Sequence, residues 1–242
     1  KQRLDLLLTA RGLAESREKA QRLIRAGQVR VNGQVATKPG TSFSEEVDLE
    51  LEATPRFVSR GGDKLEGAFE VWPDLDPAGC VCIDIGSSTG GFTDCLLQRG
   101  AEKVYAVDVG KGQLHWDLRN HPRVVVMEET NARHLEAAAF DPRPRFGVTD
   151  VSFISLTLIL PAAARVLLPG STFISLIKPQ FEAGAKHLRK GVVVDEAVRQ
   201  DVVSRIRHFG EHELGWTCHG ITPSPLKGPA GNIEFLARWH LP

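Results

Sequence analysis

The sequence lacks any long hydrophobic run. None of its apolar stretches approaches the roughly 18–20 residues that a helix needs to cross a bilayer. The first residues read KQRLDLLLTARG, and their apolar part is too short and too polar for a secretory signal peptide. We therefore predict a cytoplasmic chain that has no membrane contact.

Cysteine is also scarce. The four cysteines are Cys80, Cys82, Cys95 and Cys218, and none of them forms a C-x-x-C pair or stands at ligand spacing from histidines. This pattern excludes a zinc site of the usual kind, so we expect no bound metal. It predicts reduced, structural thiols, as in a reducing compartment.

Net charge is absent overall, because 30 Lys and Arg balance 30 Asp and Glu. Taken alone, a net charge of zero argues against a nucleic-acid partner. The charge is unevenly distributed, however: residues 1–40 contain nine basic and three acidic residues. A basic segment on an otherwise acidic chain is typical of a module that docks on a polyanion.

The basic segment has a recognisable order of elements. We predict a helix over 3–11, then a second helix that Ser16 caps and Gly27 ends. The sequence VRVNG predicts a strand and a tight hairpin turn, and Glu45 to Glu52 alternates as a further strand. This order resembles the small RNA-binding domain of small-subunit ribosomal protein four.

The resemblance implies that residues 1–54 form an α+β RNA-binding domain. Arginine forks bind phosphates in pairs of hydrogen bonds, so basic side chains are the candidate contacts. An alternative remains open, in which these side chains are only a solvated helix face. The candidate RNA-binding residues are Arg3, Arg17, Lys19, Arg22, Arg25 and Arg30.

Residues 55–62 contain Pro55 and paired glycines, which predict a linker. In residues 63–242, short apolar strands near 80–85, 103–107, 123–127, 145–150 and 171–177 alternate with helices near 91–99, 155–166 and 195–209. Two further strands, 214–221 and 232–239, follow without a helix between them. The alternation predicts an α/β, Rossmann-like domain with a mostly parallel seven-stranded sheet and an antiparallel edge.

The stretch CVCIDIGSSTGGFTD carries the strongest ligand signal. An apolar strand ends at Asp84, a glycine-rich turn follows, and a helix begins. The next apolar run ends at Asp108, where an acid can accept hydrogen bonds from both hydroxyls of a ribose. We expect S-adenosylmethionine as cofactor; the cofactor-binding candidates are Asp84, Gly86, Ser88, Gly90, Gly91, Phe92, Asp108, Asn131 and Asp150.

Other ligands and another enzyme class compete for this turn. A dinucleotide favours G-x-G-x-x-G, and a nucleoside triphosphate needs the P-loop lysine, which is absent. The spacing of Gly86, Ser88 and Gly90 also matches the nucleophile elbow of α/β-hydrolases. In that alternative, Asp195 and His219 would complete the triad, although neither stands in a convincing strand-end context.

Five motifs in order, DIGSSTGGFTD with VSRGGDKL, VTDVSFISL, LIKPQFEAG and GNIEFL, make the chain similar to the TlyA family over residues 2–240. That family resembles FtsJ-type ribosomal RNA 2′-O-methyltransferases and also bears a haemolysin label. The resemblance implies methyl transfer from S-adenosylmethionine to the 2′ hydroxyl of a cytidine in ribosomal RNA. It places the catalytic set on Lys64, Asp150, Lys178 and Glu234.

Each catalytic candidate also has a purely structural interpretation. Lys64 suits a solvated helix start, Asp150 a helix cap, Lys178 a lysine that extends from a strand end to solvent, and Glu234 an outward position on an edge strand. Asp150 and Lys178 both lie at the carboxyl ends of predicted strands, where ligands bind in open α/β sheets. The haemolysin label implies a membrane-active alternative, which the lack of an amphipathic or spanning segment opposes.

Overall fold

A computed structural model describes residues 1–52 and 55–242. The chain divides into two compact units, Lys1–Pro55 and Arg56–Pro242. The predicted linker at 55–62 does not match this division. Phe57 is 4% exposed inside the second unit, and a helix begins at Gly61, so the segment is part of the second unit from Arg56 onward.

The first unit is a small α+β structure. Its elements are β1 (Gln2–Arg3), α1 (Leu4–Ala10), α2 (Arg17–Arg25), β2 (Val29–Val31), β3 (Gln34–Val35), β4 (Ser42–Phe43) and β5 (Leu49–Leu51). β2 pairs antiparallel with both β3 and β5, and β1 pairs with β4. Leu4, Leu8, Ile24 and Val29 are fully buried and form the centre of its core.

Two local predictions in this unit are confirmed. The Ser16 hydroxyl accepts a hydrogen bond from the backbone N–H of Lys19 at 3.2 Å, so serine caps α2. Asn32 and Gly33 both have positive φ and connect β2 to β3, as a two-residue hairpin requires.

The second unit is built on one sheet. Its elements are α3 (Gly61–Val71), β6 (Val81–Ile85), α4 (Gly91–Gln98), β7 (Lys103–Val107), α5 (Trp116–Arg119), β8 (Val124–Met127), β9 (Phe146–Thr149), α6 (Leu156–Val166), β10 (Thr172–Ile177), α7 (Pro179–Glu182), α8 (Glu196–His208), β11 (Thr217–Pro223) and β12 (Phe235–His240). The seven strands lie in the order β11-β12-β10-β9-β6-β7-β8. Two buried clusters, one on each face, enclose the sheet.

The direction of β12 matters for the site. The five strands from β10 to β8 are parallel, whereas β12 runs antiparallel between β10 and β11. Phe235, the first residue of β12, is paired with Ile177, the last residue of β10. The beginning of β12 therefore lies at the same sheet edge as the carboxyl ends of the parallel strands.

Helix α3 was missing from the predicted set of helices. Its sequence, GGDKLEGAFEV, contains three glycines, which lower helix propensity and resemble a loop. The structure uses these glycines for close packing. A Cβ on Gly62 would lie 2.2 Å from the Phe57 ring, and one on Gly67 would lie 2.6 Å from Pro225.

Candidate active site

The glycine-rich turn after β6 forms one wall of a cavity of about 440 Å³. Gly86 has φ +84°, and a Cβ there would lie 2.9 Å from Val151 and 3.0 Å from the Asp150 carbonyl oxygen. We call this cavity the donor cavity, because it is the candidate site for the methyl donor. Five of the predicted cofactor-binding residues line it: Gly86, Ser88, Asp108, Asn131 and Asp150. The turn thus brings its backbone against the cavity without a side chain between them.

Asp108 stands at the carboxyl end of β7 and is held in one orientation. Its two carboxylate oxygens accept hydrogen bonds from the backbone N–H groups of Ser88 at 2.8 Å and Gly110 at 2.7 Å. Each oxygen has a second lone pair available, and Asp108 lines the donor cavity. This is an arrangement that can accept hydrogen bonds from ribose hydroxyls.

A second cavity of about 480 Å³ lies beside the donor cavity, and Gly86, Ser88, Asp150 and Ser152 line both. We call it the acceptor cavity, because it is the candidate site for the group that receives the methyl. Lys64 and Lys178 also line it.

Two ion pairs lie in the walls of this part of the site. The Lys64 ammonium is 2.6 Å from Glu234 Oε2, and the Lys178 ammonium is 2.5 Å from Asp150 Oδ1. Lys64 is 7% exposed and Glu234 only 1%, so the interpretations as solvated or outward-pointing side chains are wrong. The structure brings all four members of the predicted catalytic set together as two pairs.

Four separate elements position these side chains. Asp150 follows β9 and Lys178 follows β10, at the carboxyl ends of adjacent parallel strands. Glu234 precedes β12, and it reaches the same edge because β12 is antiparallel to β10. Lys64 comes from α3, whose first residues pack against the start of α4: a Cβ on Gly91 would lie 2.7 Å from the Gly62 nitrogen.

The sequence did not single out two polar residues that support the ion pairs. The Ser152 hydroxyl accepts a hydrogen bond from the Lys178 ammonium at 3.0 Å, and the Gln180 amide donates to Glu234 Oε1 at 2.8 Å. Each stands two positions after a catalytic candidate at a strand end. Polar residues at that spacing were the available signal, because the few residues after a strand form the rim of an α/β site.

The buried acid Asp84 is placed differently from the prediction. It is fully buried, accepts a hydrogen bond from the Thr93 hydroxyl at 2.7 Å, and lines neither cavity. Burial raises the pKa of Asp84 to about 7, and repulsion from Asp150 and Asp108 adds to the effect while the Thr93 hydrogen bond opposes it. Asp84 therefore stabilises the glycine-rich turn by joining β6 to α4 through Thr93, and it does not contact either cavity.

The remaining predicted cofactor residues have three different placements. Gly90 has φ +101° and precedes α4, and a Cβ there would lie 2.3 Å from Leu118, so its role is packing. Gly91 and Phe92 line the acceptor cavity, whereas Asn131 lines the donor cavity and caps a turn through Arg133 N–H.

The residues of the donor cavity fit S-adenosylmethionine. The cavity combines a bare glycine turn, a fixed carboxylate for a ribose, and the apolar side chains of Val107, Val151 and Ile159 for a flat base. Asp108 provides a carboxylate for a cationic donor, whereas the charge of Asp150 is balanced by Lys178. The donor cavity adjoins the acceptor cavity through Asp150 and Ser152, so a methyl group between them could be reached from either side.

The geometry gives the hydrolase alternative no support. The Ser88 hydroxyl lies 3.4 Å from Gln113 Oε1. The proposed triad partners are occupied elsewhere: Asp195 caps α8 through Ala197 N–H, and His219 on edge strand β11 packs against the His240 ring. Ser88 therefore serves the turn, where its backbone N–H binds Asp108.

The RNA-binding candidates of the first unit fall into two groups. Lys19, Arg22 and Arg25 are exposed on α2, and no ion pair involves them within 1–52 and 55–242. The other three candidates have intramolecular partners: Arg3 and Arg17 bind Asp5, and Arg30 binds Glu52 at 2.6 Å.

Two further findings concern residues 1–52 and 55–242. None of the helices there has the length and apolar character needed to cross a bilayer. In the same residues, no cluster of three or more His, Cys, Asp or Glu side chains is arranged to hold a metal ion.

Comparison with known proteins places the chain in a family. Residues 57–240 match the model of FtsJ-like methyltransferases, and residues 2–48 match the S4 domain. A candidate rRNA methyltransferase of Bacillus subtilis, YqxC, is 51% identical, with 100% of this chain and 86% of that protein covered. The 16S/23S rRNA (cytidine-2′-O)-methyltransferase TlyA of Mycobacterium tuberculosis is 46% identical, with 97% and 88% covered.

A solved structure supports the same assignment. A candidate hemolysin from Streptococcus thermophilus superposes with a TM-score of 0.77 at 44% identity, with 100% of this chain and 88% of that chain covered. The predicted resemblance to the TlyA family is therefore confirmed, and the hydrolase alternative is not supported. The chain belongs to the FtsJ-like methyltransferase family, and it is a methyltransferase.

Proposed function

We propose that this methyltransferase transfers a methyl group from S-adenosylmethionine to the ribose 2′ hydroxyl of a cytidine in ribosomal RNA. The observation that carries the proposal is the acceptor cavity, where Lys64 and Lys178, each paired with a carboxylate, stand beside the donor cavity. The M. tuberculosis relative is named for this reaction on 16S and 23S rRNA. We place the activity in the cytoplasm, on ribosomal subunits.

The donor supplies an activated methyl group on a sulfonium, so the protein has to align the hydroxyl and remove its proton. Asp108 and the Gly86 turn would hold the donor's nucleoside and methionine portions, since both line the donor cavity. The ribose of the RNA would lie in the acceptor cavity, which Lys64 and Lys178 line. Because the two cavities adjoin at Asp150 and Ser152, the protein can hold the 2′ hydroxyl in line with the methyl group of the donor.

Lys178, paired with Asp150, is our proposed proton acceptor. Its ammonium first loses a proton to solvent, and the neutral amine then takes the proton of the 2′ hydroxyl as the oxygen receives the methyl group from sulfur. The ammonium that forms is paired with Asp150 again. Lys178 is bound by Asp150 and Ser152, two residues that line both cavities, so its amine stands at their junction. Each of the two lysines has its own carboxylate partner. The Lys64–Glu234 pair, further fixed by Gln180, positions the ribose hydroxyl.

The first unit provides RNA affinity in this proposal. Its exposed Lys19, Arg22 and Arg25 are spaced three residues apart on α2 and are available to phosphates. Residues 1–54 would therefore act as the RNA-binding domain, and the second unit would perform the chemistry.

The test is to incubate the full chain with labelled S-adenosylmethionine and purified 30S or 50S subunits that lack the modification, and then to digest the RNA to nucleosides. The expected product is 2′-O-methylcytidine. Asp150→Asn is the matched variant, since it keeps the size of the side chain and removes its charge. Label that appears on a base, or equal labelling by wild type and Asp150→Asn, would contradict the proposal.

A further inference from the structure

The buried carboxylate of Asp5 collects four hydrogen bonds in the first unit. Arg3 donates from Nε to Oδ1 at 3.0 Å and from Nη2 to Oδ2 at 2.9 Å. Arg17 Nε and Gln21 Nε2 both donate to Oδ2, at 3.0 and 2.8 Å. Asp5 itself is fully buried, so solvent does not share in these contacts.

The two arginines approach this carboxylate from different elements. Arg3 precedes α1 and is paired with Ser42 in β4, whereas Arg17 is the first residue of α2. The hydrogen bonds of Arg3, Gln21 and Arg17 hold the pKa of Asp5 well below its usual range, although burial opposes them. The carboxylate is therefore charged at neutral pH, and each guanidinium is tied to it.

Both guanidinium groups are partly exposed and keep hydrogen-bond donors that the carboxylate does not use. The side chains of Arg3 and Arg17 are 43% and 54% exposed, while Asp5 is not exposed at all. In the part of the chain that the structure describes, Arg17 uses only Nε, and Arg3 leaves Nη1 without a hydrogen bond. Two cations share one buried anion, so the cluster keeps one net positive charge, and its free donors belong to anchored guanidinium groups.

We propose that Asp5 is a positioning residue for RNA, which holds Arg3 and Arg17 as one preformed phosphate-binding site. The inference rests on the proposed RNA binding by the first unit and deepens it. A free arginine side chain loses rotamer entropy when it binds a phosphate, and a planar guanidinium that is already anchored loses less. Asp5 therefore strengthens binding of a polyanion even though it is itself an anion.

Two explanations of RNA affinity make opposite predictions for the Asp5→Asn variant: one depends on the net charge of the surface alone, and the other on the preorganisation of Arg3 and Arg17. The substitution removes one negative charge from a basic surface, so charge counting expects tighter RNA binding and a steeper salt dependence. Preorganisation expects the reverse: affinity of the full chain for fluorescently labelled 16S and 23S rRNA falls about tenfold. The dependence of log K on log salt becomes shallower, because fewer phosphates are neutralised.

A double-mutant cycle distinguishes positioning from a structural role. In a background of Arg3→Ala with Arg17→Ala, the Asp5→Asn substitution should change RNA affinity less than twofold. Ser16→Ala is the matched control, because it removes the cap of α2 and leaves the Asp5 cluster intact. It should lower the melting temperature while RNA binding at a temperature where the variant is folded stays like wild type.

RNA binding by Asp5→Asn that equals or exceeds wild type overturns the inference, as does an equal loss in the arginine-free background. If Asp5→Asn does not fold, the double variant Arg3→Lys with Arg17→Lys is measured instead. It keeps both positive charges and removes both planar guanidinium groups. An RNA affinity within twofold of wild type would then overturn the inference. Alanine at Lys19, Arg22 and Arg25 tests the RNA assignment by itself, since none of these side chains touches Asp5.

Discussion

The two units use their cations in opposite ways. In the second unit, Lys64 and Lys178 are at most 9% exposed and each is bound to a carboxylate. In the first unit, Lys19, Arg22 and Arg25 are exposed on α2 and have no such partner among the described residues. We expect a cation that serves the chemistry to be buried and held in one geometry, and a cation that binds a polyanion to stay accessible to solvent, whether or not it is anchored as Arg3 and Arg17 are.

The largest expected effect is at Lys178. Replacing it with alanine should lower methyl transfer by about 10²- to 10⁴-fold, because the hydroxyl proton loses its acceptor. Lys178→Arg should fail as well, since a guanidinium keeps the charge and does not accept a proton. Single-turnover methylation of ribosomal subunits gives the rate, and donor and RNA binding should both be retained.

The contrast between the two units depends on the outcome for Lys178→Arg. Near wild-type methylation by this variant would mean that Lys178 acts as a fixed positive charge, and the proton-acceptor role would have to be abandoned. Lys38→Arg is the matched control, because it makes the same change at an exposed lysine outside the candidate residues, and it should leave the rate unchanged.

The buried acid Asp84 should make stability depend on pH. Its pKa in the folded chain is about 7, whereas an unfolded aspartate titrates near about 3.9. Between these values the folded state binds more protons, so the contribution of Asp84 to stability is complete below about pH 4 and is lost as the pH rises toward 7. Asp84→Asn stays neutral and should remove this loss.

The measurement is urea unfolding of both proteins from pH 4.5 to 7.5. The difference in unfolding free energy should move in favour of Asp84→Asn as the pH rises, by a few kcal/mol at most, because one pKa unit corresponds to about 1.4 kcal/mol. Parallel curves for the two proteins would show that Asp84 is ionised throughout this range.

Loss of the Asp108 carboxylate should weaken donor binding without affecting RNA. Asp108→Ala leaves the ribose hydroxyls without their acceptor, and it also frees the N–H groups of Ser88 and Gly110. We expect a cost of roughly 1–3 kcal/mol in donor affinity. Titration calorimetry of S-adenosylmethionine into both proteins is the measurement, and identical affinities would remove this residue from the donor site.

The smallest expected effect is spread over α2. Alanine at Lys19, Arg22 and Arg25 together should weaken RNA binding and reduce the magnitude of the salt slope by about 0.7–0.9 for each phosphate that is no longer neutralised. Donor binding should not change, because these side chains belong to the other unit. An unaltered salt slope would mean that the RNA does not contact these α2 side chains, and the proposed difference between the cations of the two units would no longer hold.

The sequence by itself determined most of the helices and strands, although not α3, and most of the residues at the rim of the site. The alternation of apolar strands and helices predicted the seven-stranded sheet, because burial on both faces requires that pattern. Asp108, Asp150 and Lys178 could be found because each stands at the carboxyl end of a predicted strand, and strand ends form the ligand edge of such sheets.

Only the tertiary structure decided the partners. Glu234 faces Lys64 because an antiparallel strand returns its first residue to the ligand edge, and because the glycine-rich helix α3 packs against the start of α4. Arg3 and Arg17 appeared in the sequence as equal members of a basic surface, yet both meet on buried Asp5. Periodicity reports which residues are buried along one element, whereas contacts between distant elements depend on how those elements pack.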